Sequence, residues 1–371
     1  MTAAAVTKND PGPDGLTPAE LADLIRLARR AIWAPQATRA ALQAARVNIT
    51  PANFYATIPS VAEVEASFEY AAPFQEHYNG GLFEQTRMRA EIGELIDFAS
   101  EFTPPAQGDR DAPAGFFWDN PAFSYSDAMV YYAMIRRLKP AGIVEIGSGF
   151  STLIADAALR ANGHGTLTLI EPYPKPFLRG LPTLTDLIEA PVQSIPVDRL
   201  TRMIDAAGLW FIDSTHTVKT GSDCLWIYLK VLPQLTRDVV VHAHDIFLPY
   251  GFPRRQILDK HIYWTEQYLL YAYLLDNPRA EVLFSSAYAA RALPEATRQL
   301  MHGRWAGGGG SLWFRIKPPQ PCSCPKPHIA SHSAVSDCGT EQQGRSAQSG
   351  VREASVPTPT NARRARTAGR S

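Results

Sequence analysis

From residue 142 onward the chain repeats one pattern: a short apolar run, then a stretch with apolar residues at helical spacing. The runs cover 142–146, 167–171, 187–190, 209–213, 239–244, 281–285 and 312–316. Between them, 152–161, 197–206, 222–235, 266–275 and 294–301 place apolar residues every three or four positions. Runs without polar alternation are strands buried on both faces, and the helices between them supply the cover. The pattern predicts an α/β fold with a mostly parallel sheet, right-handed crossovers and ligands at the carboxyl ends of the strands. One further helix leads into the first strand, with Ser124-Tyr125-Ser126-Asp127 able to cap it and Arg137 near its end.

The flanks differ. Residues 17–46 read as a helix: Thr17 caps, Pro18 takes the first position, Glu20 completes a capping box, and Leu21, Leu24, Ile25 and Leu27 recur at helical spacing. Residues 47–120 mix short helical patterns with proline-rich connections. Three regions follow: a mainly helical N-terminal extension (1–120), the sheet domain (121–317) and a tail (318–371). The tail is rich in Pro, Ser, Gly, Thr and Arg and nearly empty of large apolar residues. It is predicted to be disordered, because it cannot bury enough surface to offset chain entropy. It holds Cys322, Cys324, His328, His332 and Cys338. Their C-x-C spacing and lack of an apolar frame give no structural zinc motif.

Composition narrows the class. Of 371 residues 45% are hydrophobic, enough for a sizeable core, and 36 basic residues balance 36 acidic ones. That balance indicates no nucleic-acid partner. The start lacks a basic-then-apolar signal, no apolar run is long enough to span a bilayer, and four cysteines make no disulfide framework. A cytoplasmic location is the expectation, and the oligomeric state is left open.

Candidate chemistry lies at the strand ends. In IVEIGSGFST (143–152), Gly147, Ser148 and Gly149 form a turn between a strand and a helix. Glycines there let backbone approach a nucleotide. A dinucleotide fingerprint would continue to a third glycine, where Thr152 stands, and no Gly-Lys follows as a phosphate-binding P-loop requires. Glu145 before the turn disfavours a phosphate and suits a cation. S-adenosylmethionine (SAM), with its ammonium and sulfonium and no phosphate, is therefore preferred to NAD. Glu171, about 20 residues on, sits where an acid holds ribose hydroxyls. Gln193 after the third strand is either an adenine partner or a surface residue.

The fourth strand ends in FIDSTH and the fifth in VHAHD. Alternation puts His242 and His244 on one side of the fifth strand and Asp245 on the other. Asp213, His216, His244 and Asp245 thereby meet one rim. A lone histidine is usually a satisfied core or surface group; four such groups at two adjacent tips point to chemistry. His216 or His244 can remove a proton near neutral pH, with Asp213 or Asp245 orienting it.

Together these residues resemble the class I SAM-dependent methyltransferases: Glu145-Ile-Gly147-Ser-Gly149 as the first motif, Glu171 as the ribose acid and Asp213 as the acid after the fourth strand. FIDSTHTVKTGSD, VHAHDIFLPYGFP and GGGGSLWFRIK are similar to a bacterial subgroup of the methyltransferase-24 type. The resemblance implies a Rossmann-like sheet of seven strands, the last antiparallel, and SAM as cofactor. Catechol-type relatives hold magnesium with an acid after strand four and an Asp-Asn or Asp-Asp pair after strand five. Here Ile246 replaces the second member, so an oxygen ligand is missing. No metal ligand is assigned.

The expected activity is methyl transfer to a hydroxyl or amine of a small-molecule or saccharide acceptor. The expected catalytic residues are His216, His244 and Asp245. Glu145, Gly147, Ser148, Gly149, Glu171, Gln193 and Asp213 are expected at the cofactor. The alternatives are a non-catalytic SAM-fold module that only binds a partner, and a nicotinamide-dependent oxidoreductase.

Overall fold

A computed structural model describes residues 15–123, 125–304 and 307–320. Its strands are β1 (Gly142–Ile146), β2 (Thr166–Ile170), β3 (Leu184–Ile188), β4 (Gly208–Ile212), β5 (Val239–Ala243), β6 (Ala280–Ser285) and β7 (Leu312–Ile316). They form one seven-stranded sheet in the order β3-β2-β1-β4-β5-β7-β6. The β1 to β5 pairs are parallel, and β7 enters antiparallel between β5 and β6. Each expected strand lies within a few residues of its predicted place. The order reverses at β1, whose neighbours are β2 and β4, and a crevice opens at the carboxyl ends of such a switch point.

Burial explains the apolar runs: every residue of β1 and of β5 is buried. The helix Phe150–Asn162 buries Leu153, Ile154, Ala158 and Leu159 and stops at left-handed Gly163. The helix expected over 222–235 is irregular. One α-turn (Asp223–Trp226) passes into a π-turn (Ile227–Val231) and a 3-10 turn (Leu232–Gln234). Pro233 has no N–H to donate, so regular α bonding cannot run through it.

The N-terminal expectation changes in two ways. The helix predicted over 17–46 is two helices, Pro18–Ala31 and Gln36–Ala44, divided where Pro35 caps the second. The Thr17–Glu20 capping box is present, yet neither helix buries a residue. The helix Gln85–Glu101, by contrast, buries Met88, Ile92, Leu95 and Ala99. Glu91 and Glu94 hold Arg137 of the helix Tyr125–Leu138, at 2.6 and 2.5 Å. Phe83, Phe102, Phe116 and Phe123 share one core with the sheet. A boundary at residue 120 therefore has no counterpart in the packing, and one compact unit runs to Gln320. Ser124, and the cysteines and histidines of the tail, lie outside the described residues. Among those described, no helix is long and apolar enough to cross a membrane.

Candidate active site

β1 ends at the glycine turn. Gly147 has φ +77°, and a Cβ there would sit 2.1 Å from the Asp213 carbonyl oxygen. Only glycine fits that turn, which packs against the end of β4. Gly149 differs: its backbone is extended, and a Cβ there would meet nothing within 4 Å. The three amides of the turn are all committed within the protein. Gly147 N–H donates to the Ile170 carbonyl (3.2 Å), Ser148 N–H to Glu171 Oε2 (3.2 Å) and Gly149 N–H to Thr152 Oγ1 (3.0 Å). These amides are not offered to a phosphate, unlike an anion-binding nest.

Thr152, which breaks the dinucleotide pattern, is thus a strut. Its hydroxyl accepts from Gly149 and donates to Glu145 Oε2 at 2.6 Å, while Tyr131 donates to Glu145 Oε1 at 2.8 Å. Glu145 is fully buried beneath the turn rather than exposed to a ligand. Burial pushes its carboxyl up to about 7, and the bonds from Thr152 and Tyr131 only partly oppose this. A carboxyl raised on folding stabilises the fold below its unfolded value near 4.5, and that contribution is lost as pH rises through about 7. The shift corresponds to about 3 kcal/mol at most. Glu145→Gln keeps the shape without the charge. Its melting temperature, relative to wild type in ligand-free protein, should therefore rise between pH 5 and pH 8; an unchanged difference would refute the assignment.

The second half of the site joins the ends of β4 and β5. His216 is buried with φ +57°; Glu266 Oε2 lies 2.7 Å from its Nδ1, and Asp213 Oδ1 lies 3.1 Å from its Nε2. Burial disfavours charge on His216, but the bonds to Asp213 and Glu266 outweigh it and raise the ring to about 10. With both nitrogens committed, His216 holds a proton at neutral pH rather than taking one. Asp213 experiences the same balance from the other side: desolvation raises it, yet His216 and His244 hold it below the usual carboxylate range.

His244 stacks on Phe123, ring centroids 4.5 Å apart. Its Nε2 is 3.5 Å from Asp127 Oδ2, and its Nδ1 is 3.5 Å from Asp213 Oδ1 and 3.8 Å from Asp245 Oδ2. Strand alternation places Asp245 opposite the histidines, but β5 ends at Ala243 and Asp245 takes φ +56°. That left-handed residue turns its carboxylate back to within 3.7 Å of His216 Nε2. His242 is a core group: fully buried, stacked on Trp313 and hydrogen-bonded to Ser311 at 2.8 Å. Gln193 is exposed in the turn after β3.

Three contributors escape sequence reading. Glu266 starts the helix Glu266–Leu274 and accepts from the Ser214 hydroxyl (2.8 Å) and from Tyr228 (2.5 Å) as well as holding His216. Asp127 accepts from Ser286 (2.7 Å) and from Gly310 N–H (3.0 Å) behind His244. Tyr131 holds Glu145. Each lies on a helix where an amphipathic reading treats it as face or cap, and no spacing rule links it to its partner. Gly309, in the glycine run before β7, has φ +95° and packs on the Asp127 carboxylate, where a Cβ would lie 2.3 Å from Oδ1. Beyond that run is a cavity of about 780 Å³, lined by Phe74, Phe247, Tyr250, Arg254 and Arg291 among others. The Arg291 guanidinium lies 3.8 Å from the Phe74 ring centroid and 4.5 Å from that of Tyr250.

Sheet order, glycine turn and acid-bearing strand ends define a Rossmann-like domain of the class I methyltransferase type. Residues 144–246 match a family described as a methyltransferase domain. The chain is 32% identical over 157 residues to an uncharacterized protein of Archaeoglobus fulgidus, across 39% of this chain and 69% of that one, and belongs to the same family. Among solved structures, it is similar to an O-methyltransferase of tomaymycin synthesis from Streptomyces achromogenes, solved with SAM. That match is 12% identical over 64% of this chain and all of the other, at a TM-score of 0.33. An O-methyltransferase from Bacillus cereus, solved with S-adenosylhomocysteine (SAH), matches at 11% identity over 62% of this chain and 91% of that one, with a TM-score of 0.33.

Proposed function

We propose that this protein transfers a methyl group from SAM to a hydroxyl of a small-molecule or saccharide acceptor. The observation that carries the reading is that the glycine turn and the His/Asp cluster share Asp213. Its carbonyl oxygen abuts Gly147, while its carboxylate faces His216 and His244. A nucleotide turn and a proton-handling group are thereby parts of one crevice.

The turn suits SAM better than a pyrophosphate, because its amides are engaged and the Glu171 carboxylate stands beside it. Glu171 accepts from the ribose hydroxyls, and the open space at Gly149 admits the ligand. When bound, SAM supplies an electrophilic methyl on sulfur. The protein's part is alignment and proton removal. The acceptor enters through the cavity behind the 307–310 glycine run, whose lining includes Phe74, Phe247, Tyr250 and Arg291. The Asp245 carboxyl, which burial raises above the ordinary aspartate value, takes up its proton, while His244, set between Asp127 and Asp213, is held protonated beside it and orients it. His216 keeps Asp213 in place from the other flank.

The test is SAM binding by calorimetry, followed by labelled-methyl transfer into cell extract. Glu171→Ala is expected to weaken SAM binding by 10-fold or more, about 1.4 kcal/mol, with only a small fall in the melting temperature of the ligand-free protein from the Ser148 and Tyr173 amides it releases. A wild-type protein that binds NAD and not SAM, or an E171A variant that binds SAM as tightly as wild type, sinks the reading.

A further inference from the structure

We propose that the acceptor carries an anionic group, a carboxylate or a phosphate, which Arg291 and Arg254 receive in the cavity beyond the 307–310 glycine run. The inference rests on the methyl-transfer reading only in calling this ligand the acceptor; the anion site follows from the cavity itself. That cavity holds about 780 Å³, a size suited to a small molecule. Its wall combines apolar surface from Phe74, Phe247, Tyr250 and Phe252 with the guanidinium groups of Arg254, Arg255 and Arg291. Among the described residues, Glu69 is the one acid in the lining. Its carboxylate already accepts from the Tyr268 hydroxyl at 2.8 Å and lies 3.4 Å from His77 Nε2.

Arg291 is held ready for an anion. Its guanidinium lies 3.8 Å from the Phe74 ring centroid and 4.5 Å from that of Tyr250. The rings attract the cation and limit its motion, but they do not satisfy its in-plane N–H groups. Among the described residues its one hydrogen bond runs from Nη1 to the Ala287 carbonyl at 3.0 Å, and it forms no ion pair. Burial holds the guanidinium below its ordinary value, opposed only by the neighbouring Tyr250 hydroxyl. A charge partly withdrawn from water with no acid beside it is stabilised by an incoming anion. Phe74 gives an independent sign. Its φ of +57° is rare for a bulky residue, and its side chain stays 61% exposed while standing over Arg291. Strained backbone of this kind gathers at ligand clamps. Of the other two arginines, Arg255 is paired with Asp259 at 3.0 Å, whereas Arg254 has no ion pair among the described residues.

Charge then orients the ligand. Phe247 lines the cavity and stands two residues beyond Asp245. Gly310 packs on both: a Cβ there would lie 2.9 Å from the Asp245 Cα and 3.0 Å from the Phe247 ring. One wall of the cavity therefore adjoins the acid that takes the acceptor's proton. Asp213 and Asp245 repel an anion, and the arginines attract it. A ligand with a hydroxyl, an apolar body and an anionic group thus enters with the hydroxyl toward Asp245 and the anion toward Arg291. A planar guanidinium suits this role because its fork matches two oxygens of a carboxylate or phosphate.

The experiment is calorimetric titration of the full chain, without SAM, with p-hydroxyphenylacetate, its neutral amide and phenyl phosphate. Wild type is expected to bind at least one of the anions, and the amide about 10-fold more weakly or not at all. Arg291→Gln and Arg254→Gln, each checked for an intact melting transition, should each weaken anion binding about 10-fold or more; if one fails to fold, the other decides. Arg202→Gln, at an exposed arginine of the helix Val197–Ala207, should bind the anion as wild type does. Labelled-methyl products made in cell extract then distinguish the two anions. They should be retained on an anion exchanger, from which phosphatase releases a phosphate ester and leaves a carboxylate bound. Anion binding that depends on Arg291, without any methyl transfer, would sink the methyl-transfer reading and not the anion site. Methyl transfer by a wild type that binds no anion at millimolar concentration would sink this proposal alone. Equal affinity for acid and amide, equal affinity in the folded variants, or labelled products that pass through the exchanger also overturn it.

Discussion

Gly147→Ala is expected to lower stability by about 3 kcal/mol or more and to abolish SAM binding. The reason is geometric. At φ +77° an alanine is already strained, and its Cβ would overlap the Asp213 carbonyl oxygen at 2.1 Å. That obstacle is backbone, held in turn by the Asp213 N–H donating to the Ile146 carbonyl at 2.8 Å. Relief requires the ends of β1 and β4 to part, so the damage reaches both halves of the crevice. Gly149→Ala is the control. Its extended backbone accepts any residue and no atom lies within 4 Å of the added methyl. This variant should melt like wild type and lose affinity only because the methyl projects into ligand space. Melting curves with and without SAM distinguish the two. If both variants melt normally and differ only in affinity, the strain at Gly147 is absent.

The second large effect is expected at Glu266. Glu266→Ala removes the partner of three groups at once: His216 Nδ1, the Ser214 hydroxyl and the Tyr228 hydroxyl. All four side chains converge in or beside the core, where removing one member of a charge pair costs about 3–5 kcal/mol. For a domain of this size each kcal/mol shifts the melting temperature by about 2–4 °C, so a fall of roughly 10 °C is expected. Glu266→Gln, which keeps an oxygen for His216 but not the charge, should fall by clearly less. Equal losses in the two variants would mean that the negative charge alone, and neither packing nor the acceptor oxygen that Gln retains, is what Glu266 provides. Tyr228 reaches Glu266 from the π-turn, so the irregular helix is part of this support rather than a defect beside it.

Legibility in the sequence followed the range of the interaction. β1, β4, β5 and β7 were readable because a strand buried on both faces must be apolar throughout, whatever its neighbours; β3, at the sheet edge, has no buried residue. The turn at Gly147 was readable because a positive φ demands glycine locally. Asp213, His216, His244 and Asp245 were readable as a rim because parallel strands put their carboxyl ends together. The direction of Asp245 was not: alternation holds only inside a strand, and β5 ends two residues earlier. Nor was the position of Glu145, which the sequence places before the turn and the fold places beneath it.

The sequence by itself determined the layered α/β class, the glycine turn and the residue types gathered at the crevice. Each follows from rules acting within a few residues: periodicity, backbone conformation and helix capping. Tertiary structure alone decided what those residues touch. Thr152 became the link between Glu145 and Gly149, Glu266 met His216 across 50 positions of chain, and Asp127 met His244 across the core. Such pairings are set by how helices dock on a twisted sheet, and no local pattern encodes them. They turn a row of acids and imidazoles into a site in which His216 is fixed at both nitrogens and His244 is set between Asp127 and Asp213.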